Sequence, residues 1–171
     1  IQSNAVIIAT GGFGANLDMV TRYCPALNGF STVNHIGATG DAFSWVEKFG
    51  VELYQMDQIQ THPTVEVRNS LMITEAVRGN GAILLNNKAK RFVNEMDTRD
   101  VVSKAILRQE KGTAFLFFDQ AVRESLSAID NYEKLGLLAQ SNTLDGLASK
   151  AGLDAEVLKA SIERYNAFTA S

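Results

Sequence analysis

The sequence predicts an α+β chain, and three observations carry that prediction. Short β-branched or aromatic apolar runs stand at residues 5–10, 71–73 and 114–118. Apolar residues at helical spacing stand at 100–109, 120–129, 143–151 and from Asp154 onward. Beyond Gly50 the two kinds of segment do not alternate in the strand–helix order of a parallel sheet.

Ala5-Val6-Ile7-Ile8-Ala9-Thr10 reads as a strand buried on both faces. It stops at Gly11-Gly12-Phe13-Gly14, where the backbone must turn tightly or approach something closely. Residues 16–23 predict a short helix, and Pro25, Asn28, Gly29 and Ser31 make 25–33 a loop. Gly37-Ala38-Thr39-Gly40-Asp41 is a second glycine-bracketed turn, leading into a helix over 42–49 that ends at Gly50. Residues 51–64 read as extended, with Pro63 restricting His62. Leu71-Met72-Ile73 is a short strand. Residues 82–85 and 91–93 flank Asn86-Asn87-Lys88 and predict a hairpin.

Val101, Val102, Ala105 and Ile106 predict a helix over 100–109, followed by a strand over 114–118. Asp119 is placed to cap a helix over 120–129, and residues 143–151 form a helix closed by Gly152. Asp154 caps the last helix, Leu153 staples it, and Val157, Leu158, Ile162 and Tyr165 form its buried stripe. There is no internal repeat and no low-complexity tract.

With 171 residues and 46% hydrophobic content, the chain has enough apolar surface to order itself, which excludes a disordered segment. That length supports one core, or one domain with part of another. A net charge of -3 argues against a general nucleic-acid binder. The apolar runs are too short to span a bilayer. Cys24 is the only cysteine, so the chain has no internal disulfide and no thiolate metal site, and Cys24 reads as a small apolar residue. No metal site is expected. The start at Ile1, without an initiator methionine, reads as the interior of a longer protein.

Chemistry concentrates in three stretches: Gln60-Thr61-His62-Pro63-Thr64, Thr74-Glu75-Ala76-Val77-Arg78-Gly79-Asn80-Gly81, and 91–100, which holds Arg91, Glu95 and Arg99. Arginine offers a planar fork that matches a carboxylate, and histidine and threonine add hydrogen bonds, so the set suits a small dianion. Glu75, Arg78 and Arg99 can pass a proton if they meet in space. Taken singly, each residue has a plainer reading. His62 is then a structural histidine, Thr74 and Glu75 cap a helix, and Arg91, Glu95 and Arg99 form surface ion pairs at (i, i+4) spacing.

In this order and spacing the three stretches resemble the soluble fumarate reductase flavoproteins, including the flavin-containing part of flavocytochrome c-type enzymes. The wider group holds succinate dehydrogenase flavoprotein subunits and L-aspartate oxidases. The resemblance runs from Ala9-Thr10-Gly11-Gly12-Phe13 to Arg164-Tyr165-Asn166-Ala167-Phe168. It is most specific at Asn34-His35-x-Gly37-Ala38-Thr39-Gly40-Asp41 and at Met72-Ile73-Thr74-Glu75-Ala76-Val77-Arg78-Gly79-Asn80-Gly81.

By that resemblance, His62 binds a substrate carboxylate, and Thr74 and Glu75 bind and polarise the other end of fumarate. Arg99 donates the proton, and Glu75 and Arg78 resupply it. Gly11, Gly12 and Asp41 contact FAD. The implied reaction is hydride transfer from reduced flavin to one alkene carbon of fumarate, with protonation of the other by Arg99, giving succinate. The implied setting is anaerobic electron transport.

The short step from Glu95 to Arg99 matches the soluble branch, and His62 with Thr74 departs from the urocanate reductase pattern. FAD-dependent 2-enoate reductases of methacrylate or urocanate type, L-aspartate oxidases and a non-catalytic dicarboxylate-binding module stand as alternatives. Arg99 at a helix N-terminus, near a second cation, is expected to be tuned toward acidity.

The family's G-x-G-x-x-G motif is absent, since Gly11-Gly12-x-Gly14 has a different spacing, and a second substrate histidine and arginine are not found. The resemblance therefore implies an internal segment. Residues 1–55 would be a remnant of the α/β FAD-binding domain, and 56–171 most of the capping, or clamp, domain. Alone, the segment is expected to fold from Gln55 onward, to retain little FAD, to lack activity and to expose apolar surface that favours self-association. The electron donor, whether a haem, FMN or NADH-linked domain or partner, is left open, and so is the compartment.

Overall fold

The computed structural model describes residues 2–169. Ile1, Ala170 and Ser171, including the start at Ile1 singled out above, lie outside the described residues. The chain divides into two units, Ile1–Gln60 with Val67–Leu71 and Thr61–Glu66 with Met72–Ser171.

In the first unit, helix α1 spans Leu17–Tyr23 and α2 spans Asp41–Glu47. Asn16 caps α1 by accepting the Met19 N–H at 3.0 Å, and its amide donates to the Thr39 carbonyl at 3.0 Å. This joins the first glycine turn to the second. The Phe13 ring packs edge-on to Phe43 at 5.5 Å and tilted against Tyr23 at 5.7 Å. Gly40 has φ +79, and a Cβ there would come within 2.7 Å of Phe13 Cβ and 2.8 Å of Met19 Sδ. Both the backbone conformation and the space therefore demand glycine.

The strand expected over residues 5–10 does not form. Those residues are exposed, with Val6 at 80% and Ile7 at 92%. A doubly buried strand needs partners on both edges and both faces, and no described strand pairs with this run. Ile36, Phe49 and Tyr54 are also more than four-fifths exposed. Residues 51–60 are irregular rather than extended, and Gln55 takes a left-handed φ of 54.

The second unit holds α3 (Ala76–Gly79), β1 (Ile83–Leu85), α4 (Arg99–Leu107), β2 (Phe115–Phe117), α5 (Gln120–Ser125), α6 (Ala128–Lys134), α7 (Leu144–Ala151) and α8 (Ala155–Thr169). The expected hairpin is replaced by a longer-range pairing. β1 pairs antiparallel with β2 in the register Ile83–Phe117, Leu84–Leu116 and Leu85–Phe115. Only a single bridge joins Leu85 to Arg91. Three consecutive buried residues in β1 need cover on both faces, which β2 and the helices give and a local hairpin cannot.

One side of the sheet packs on the C-terminal helices. Ile83, Leu85, Ala89, Ala148 and Leu158 form a buried cluster, flanked by Phe115, Phe117, Val157, Ile162 and Tyr165. The stripe expected on the last helix is thus found, and each fully buried leucine there stabilises the fold by about 1.5–3 kcal/mol. Asp154 caps α8 through the Val157 N–H at 2.9 Å, and Thr143 caps α7 through Gly146 N–H at 3.1 Å. The helix expected over 120–129 is two helices. Asp119 caps α5 as expected, and the chain leaves helical geometry at Leu126 before α6 begins.

Candidate functional site

The site residues of the second unit are gathered by backbone pairing that the sequence only hinted at. Thr64 is 6% exposed, its Oγ1 donates to the Ile73 carbonyl at 2.9 Å, and Ile73 N–H donates to the Thr64 carbonyl at 2.9 Å. A bridge between Val65 and Met72 continues the pairing. His62 is thereby carried beside the start of the Thr74–Arg78 stretch. The Tyr132 phenol, on α6, accepts the Thr74 N–H at 3.0 Å.

Glu75 stands at the centre. Its Oε1 accepts from Arg99 Nε at 2.6 Å and its Oε2 from Arg99 Nη2 at 2.7 Å, a bidentate pair. Arg78 Nη2 donates to Glu75 Oε1 at 3.2 Å. Arg78 is 5% exposed, Glu75 about a third and Arg99 43%. The Glu75 carboxyl is held below its ordinary 4.5, first by the hydrogen bond from Arg99, against the opposing effect of burial.

His62 lies within electrostatic reach of Glu75, Arg99 and Arg78. Burial is the largest influence on the imidazole and lowers its pKa from 6.5, so the ring is neutral at neutral pH. Its Nδ1 lies 3.1 Å from the Thr64 carbonyl and 3.3 Å from the Thr64 N–H. The shorter contact, to the carbonyl, is made by the Nδ1–H form and favours the charged ring, while the contact to the N–H belongs to the Nε2–H form, whose ring proton is available to a carboxylate.

One expectation is reversed. Arg99 is the first residue of α4, but its pKa is raised, because the Glu75 carboxylate pairs with it. A bidentate anion at hydrogen-bond distance outweighs a helix-end dipole and a second cation. The (i, i+4) reading of Arg91, Glu95 and Arg99 also changes. Residues 91–98 are turns and bridge rather than helix. Arg91 and Glu95 still pair, with Nη2 to Oε2 at 2.6 Å, but Glu95 is 5% exposed and Arg99 turns instead to Glu75. Sequence reasoning missed Tyr132, whose only signal was an aromatic at helical spacing. Tyr132→Phe leaves the Thr74 N–H without its acceptor and should cost about 1–3 kcal/mol, read as a lowered Tm.

The candidate FAD contacts belong to the first unit. Gly11 has φ +80, a conformation that favours glycine, and a Cβ added at Gly11 or Gly12 would meet nothing within 4 Å. The backbone there is open to close approach by a planar or phosphate-bearing group. Asp41, the first residue of α2, is exposed, and its Oδ1 accepts from Thr39 Oγ1 at 3.0 Å. Gly12 neighbours Phe13, which packs on Phe43 two residues beyond Asp41. An open glycine backbone and an exposed acceptor are chemically compatible with contacts to FAD. Among the described residues no group of three or more His, Cys, Asp or Glu is placed to hold a metal ion, and no helix is long and apolar enough to cross a membrane.

Similarity in sequence and structure makes the chain part of a flavoprotein. The chain belongs to the FAD binding domain family, which matches residues 1–171. It is 46% identical over its whole length to a fumarate reductase (cytochrome) of Shewanella frigidimarina, and covers 30% of that protein. It is 43% identical over 166 residues, 97% of the chain, to an NADH:fumarate oxidoreductase of Klebsiella pneumoniae, and covers 18% of it. The structure is similar to the open conformation of a flavocytochrome c3 fumarate reductase, with a TM-score of 0.77 and 34% identity over 97% of this chain and 29% of that one. The likeness to fumarate reductase flavoproteins read from the motifs is therefore present in both sequence and structure. FAD is the cofactor of this family.

Proposed function

We propose that the chain forms the substrate-binding and proton-delivering part of an FAD-dependent fumarate reductase. The observation that carries this reading is Glu75 bridging two arginines, Arg78 and Arg99, within electrostatic reach of His62. Fumarate is a dianion, and the Thr74 hydroxyl with the His62 ring in its Nε2–H form supply donors for its carboxylates in the positive field of Arg78 and Arg99.

In this reading His62 and Thr74 hold the substrate ends, and Gly11, Gly12 and Asp41 hold FAD. When bound, FAD supplies the hydride. Arg99 gives its proton to the carbon on which negative charge develops, so one hydride and one proton convert fumarate to succinate. The raised pKa of Arg99 is compatible with this role. Glu75 lies 2.6 Å from Arg99 Nε, and as the first proton leaves it takes up one from solvent and passes it to the neutral guanidine, so arginine is recharged and the carboxylate restored. Arg78 stabilises the Glu75 carboxylate between turnovers.

Residues 1–55 are assigned to the FAD-binding domain and 56–171 to the capping domain, which excludes water when it closes. Electrons come from a haem, FMN or NADH-linked donor. The test is oxidation of reduced viologen by the intact, FAD-loaded protein. Fumarate should support it, and urocanate, methacrylate and iminoaspartate should not. Turnover with one of the latter and none with fumarate would overturn the assignment.

A further inference from the structure

Glu95 sits in a turn, yet it is one of the few buried charged residues of the chain, at 5% exposure. Its Oε1 accepts the Leu84 N–H at 2.9 Å and Arg91 Nε at 3.1 Å, and its Oε2 accepts Arg91 Nη2 at 2.6 Å. The Arg91 guanidinium lies over the Tyr165 ring, 4.8 Å from its centre. The carboxylate is thus tied to β1 and, through Arg91, to α8. At the other end of the same residue, the Glu95 backbone carbonyl accepts Arg78 Nη1. Arg78 Nε is buried without a hydrogen bond. Two contacts therefore fix the Arg78 guanidinium: the Glu95 carbonyl on one side and Glu75 on the other.

We propose that Glu95 and Arg91 are positioning residues that aim Arg78 at Glu75, with Tyr165 as the platform that holds Arg91. A rigid aromatic under the guanidinium and a bidentate carboxylate leave the turn little freedom. The carbonyl of residue 95 is consequently held where Arg78 needs it. This inference rests on the proposed role of Glu75 and Arg78 in proton supply. A purely structural ion pair would hold residues 91–95 against β1 and leave Arg78 untouched.

The test is a crystal structure and a pH–rate profile of Glu95→Gln in the intact protein. The amide keeps an acceptor for Leu84 N–H but loses the charge that grips Arg91. Arg78 should leave the residue 95 carbonyl, the separation passing about 3.5 Å. With fumarate, kcat should fall roughly tenfold while KM changes less than about twofold. Glu75 is faced by Arg99 from α4, Arg78 from α3 and His62 from the 61–66 segment. Releasing Arg78 removes one of these groups that lower its pKa, so the acid limb of the profile should move to higher pH.

Arg78 unmoved, with an unchanged profile and only a lowered Tm, would overturn the proposal. If Glu95→Gln does not fold, Arg91→Lys and Tyr165→Leu carry the same readings with the carboxylate intact. Failure of the wild-type protein to reduce fumarate would instead refute the proposed function, and the crystallographic position of Arg78 would still decide the role of Glu95.

Discussion

Arg99→Gln should abolish fumarate reduction in the intact protein while leaving affinity for the dicarboxylate nearly unchanged. The guanidinium makes two hydrogen bonds to Glu75 from an exposed position at the start of α4. Glutamine can still donate to a carboxylate, so binding through His62 and Thr74 persists. What disappears is a proton that can move to carbon and be replaced from Glu75. Loss of a positioned acid typically costs 10²–10⁴-fold, and here the other groups near Glu75 are Arg78, buried and shared between Glu75 and the Glu95 carbonyl, and His62, whose pKa is lowered by burial. Stability should change by less than about 1 kcal/mol, because the pair is solvent-accessible. Steady-state kinetics with substrate binding measured separately checks this. A surviving kcat would move the donor elsewhere.

How much of this was legible in the sequence follows from the range of each interaction. Local helices and the caps Asp119 and Asp154 could be read because each acts within three residues of itself, while Asn16 and Thr143, counted within their helices, turn out to be caps. The stripe on α8 could be read because helical spacing alone defines it. Pairing between β1 and β2 could not, since 83–85 meets 115–117 only once the intervening chain has folded. The exposed run at 5–10 shows the same limit from the other side, because an apolar β-branched segment states a preference but supplies no partner.

For the candidate site, the motif stretches left open whether Glu75, Arg78 and Arg99 meet, and they do come together. The electrostatic sense of Arg99 was misjudged because the sequence does not say which acid faces it. Glu95, four residues away, was the obvious partner by spacing. The chain turns between them, and Glu75 takes that place from 24 residues away.

Replacing that same acid, Glu75→Gln, should collapse kcat by about 10² or more, because both arginines lose the carboxylate through which a proton passes. Affinity should move the other way. Arg78 and Arg99, no longer neutralised, draw a dianion more strongly, so KM should hold or fall. A marked rise in KM would instead make Glu75 a direct contact to substrate. Stability should drop by about 1–2 kcal/mol. The buried Arg78 keeps the Glu95 carbonyl, and Glu75 itself is a third exposed, which limits the loss.

The pH dependence separates this charge effect from a packing effect. The folded-state pKa of Glu75 lies below its ordinary 4.5, with the Arg99 hydrogen bond as the first cause. The unfolded chain therefore binds more protons between those two values. The stabilisation is fully present above about 4.5 and is lost as pH falls through the folded value. The Tm difference between wild type and Glu75→Gln should hold near neutral pH and shrink below about pH 4.5. His62, whose pKa is lowered from 6.5 mainly by burial, adds its own loss of stability starting at higher pH. The Glu75 carboxylate holds the imidazole pKa up, so this loss is larger in Glu75→Gln and widens the Tm gap below about pH 6.5, before the gap shrinks below about pH 4.5. A Tm gap that stays constant down to the acid transition would mean that Glu75 contributes shape rather than charge, and that the arginines around it are held by other groups.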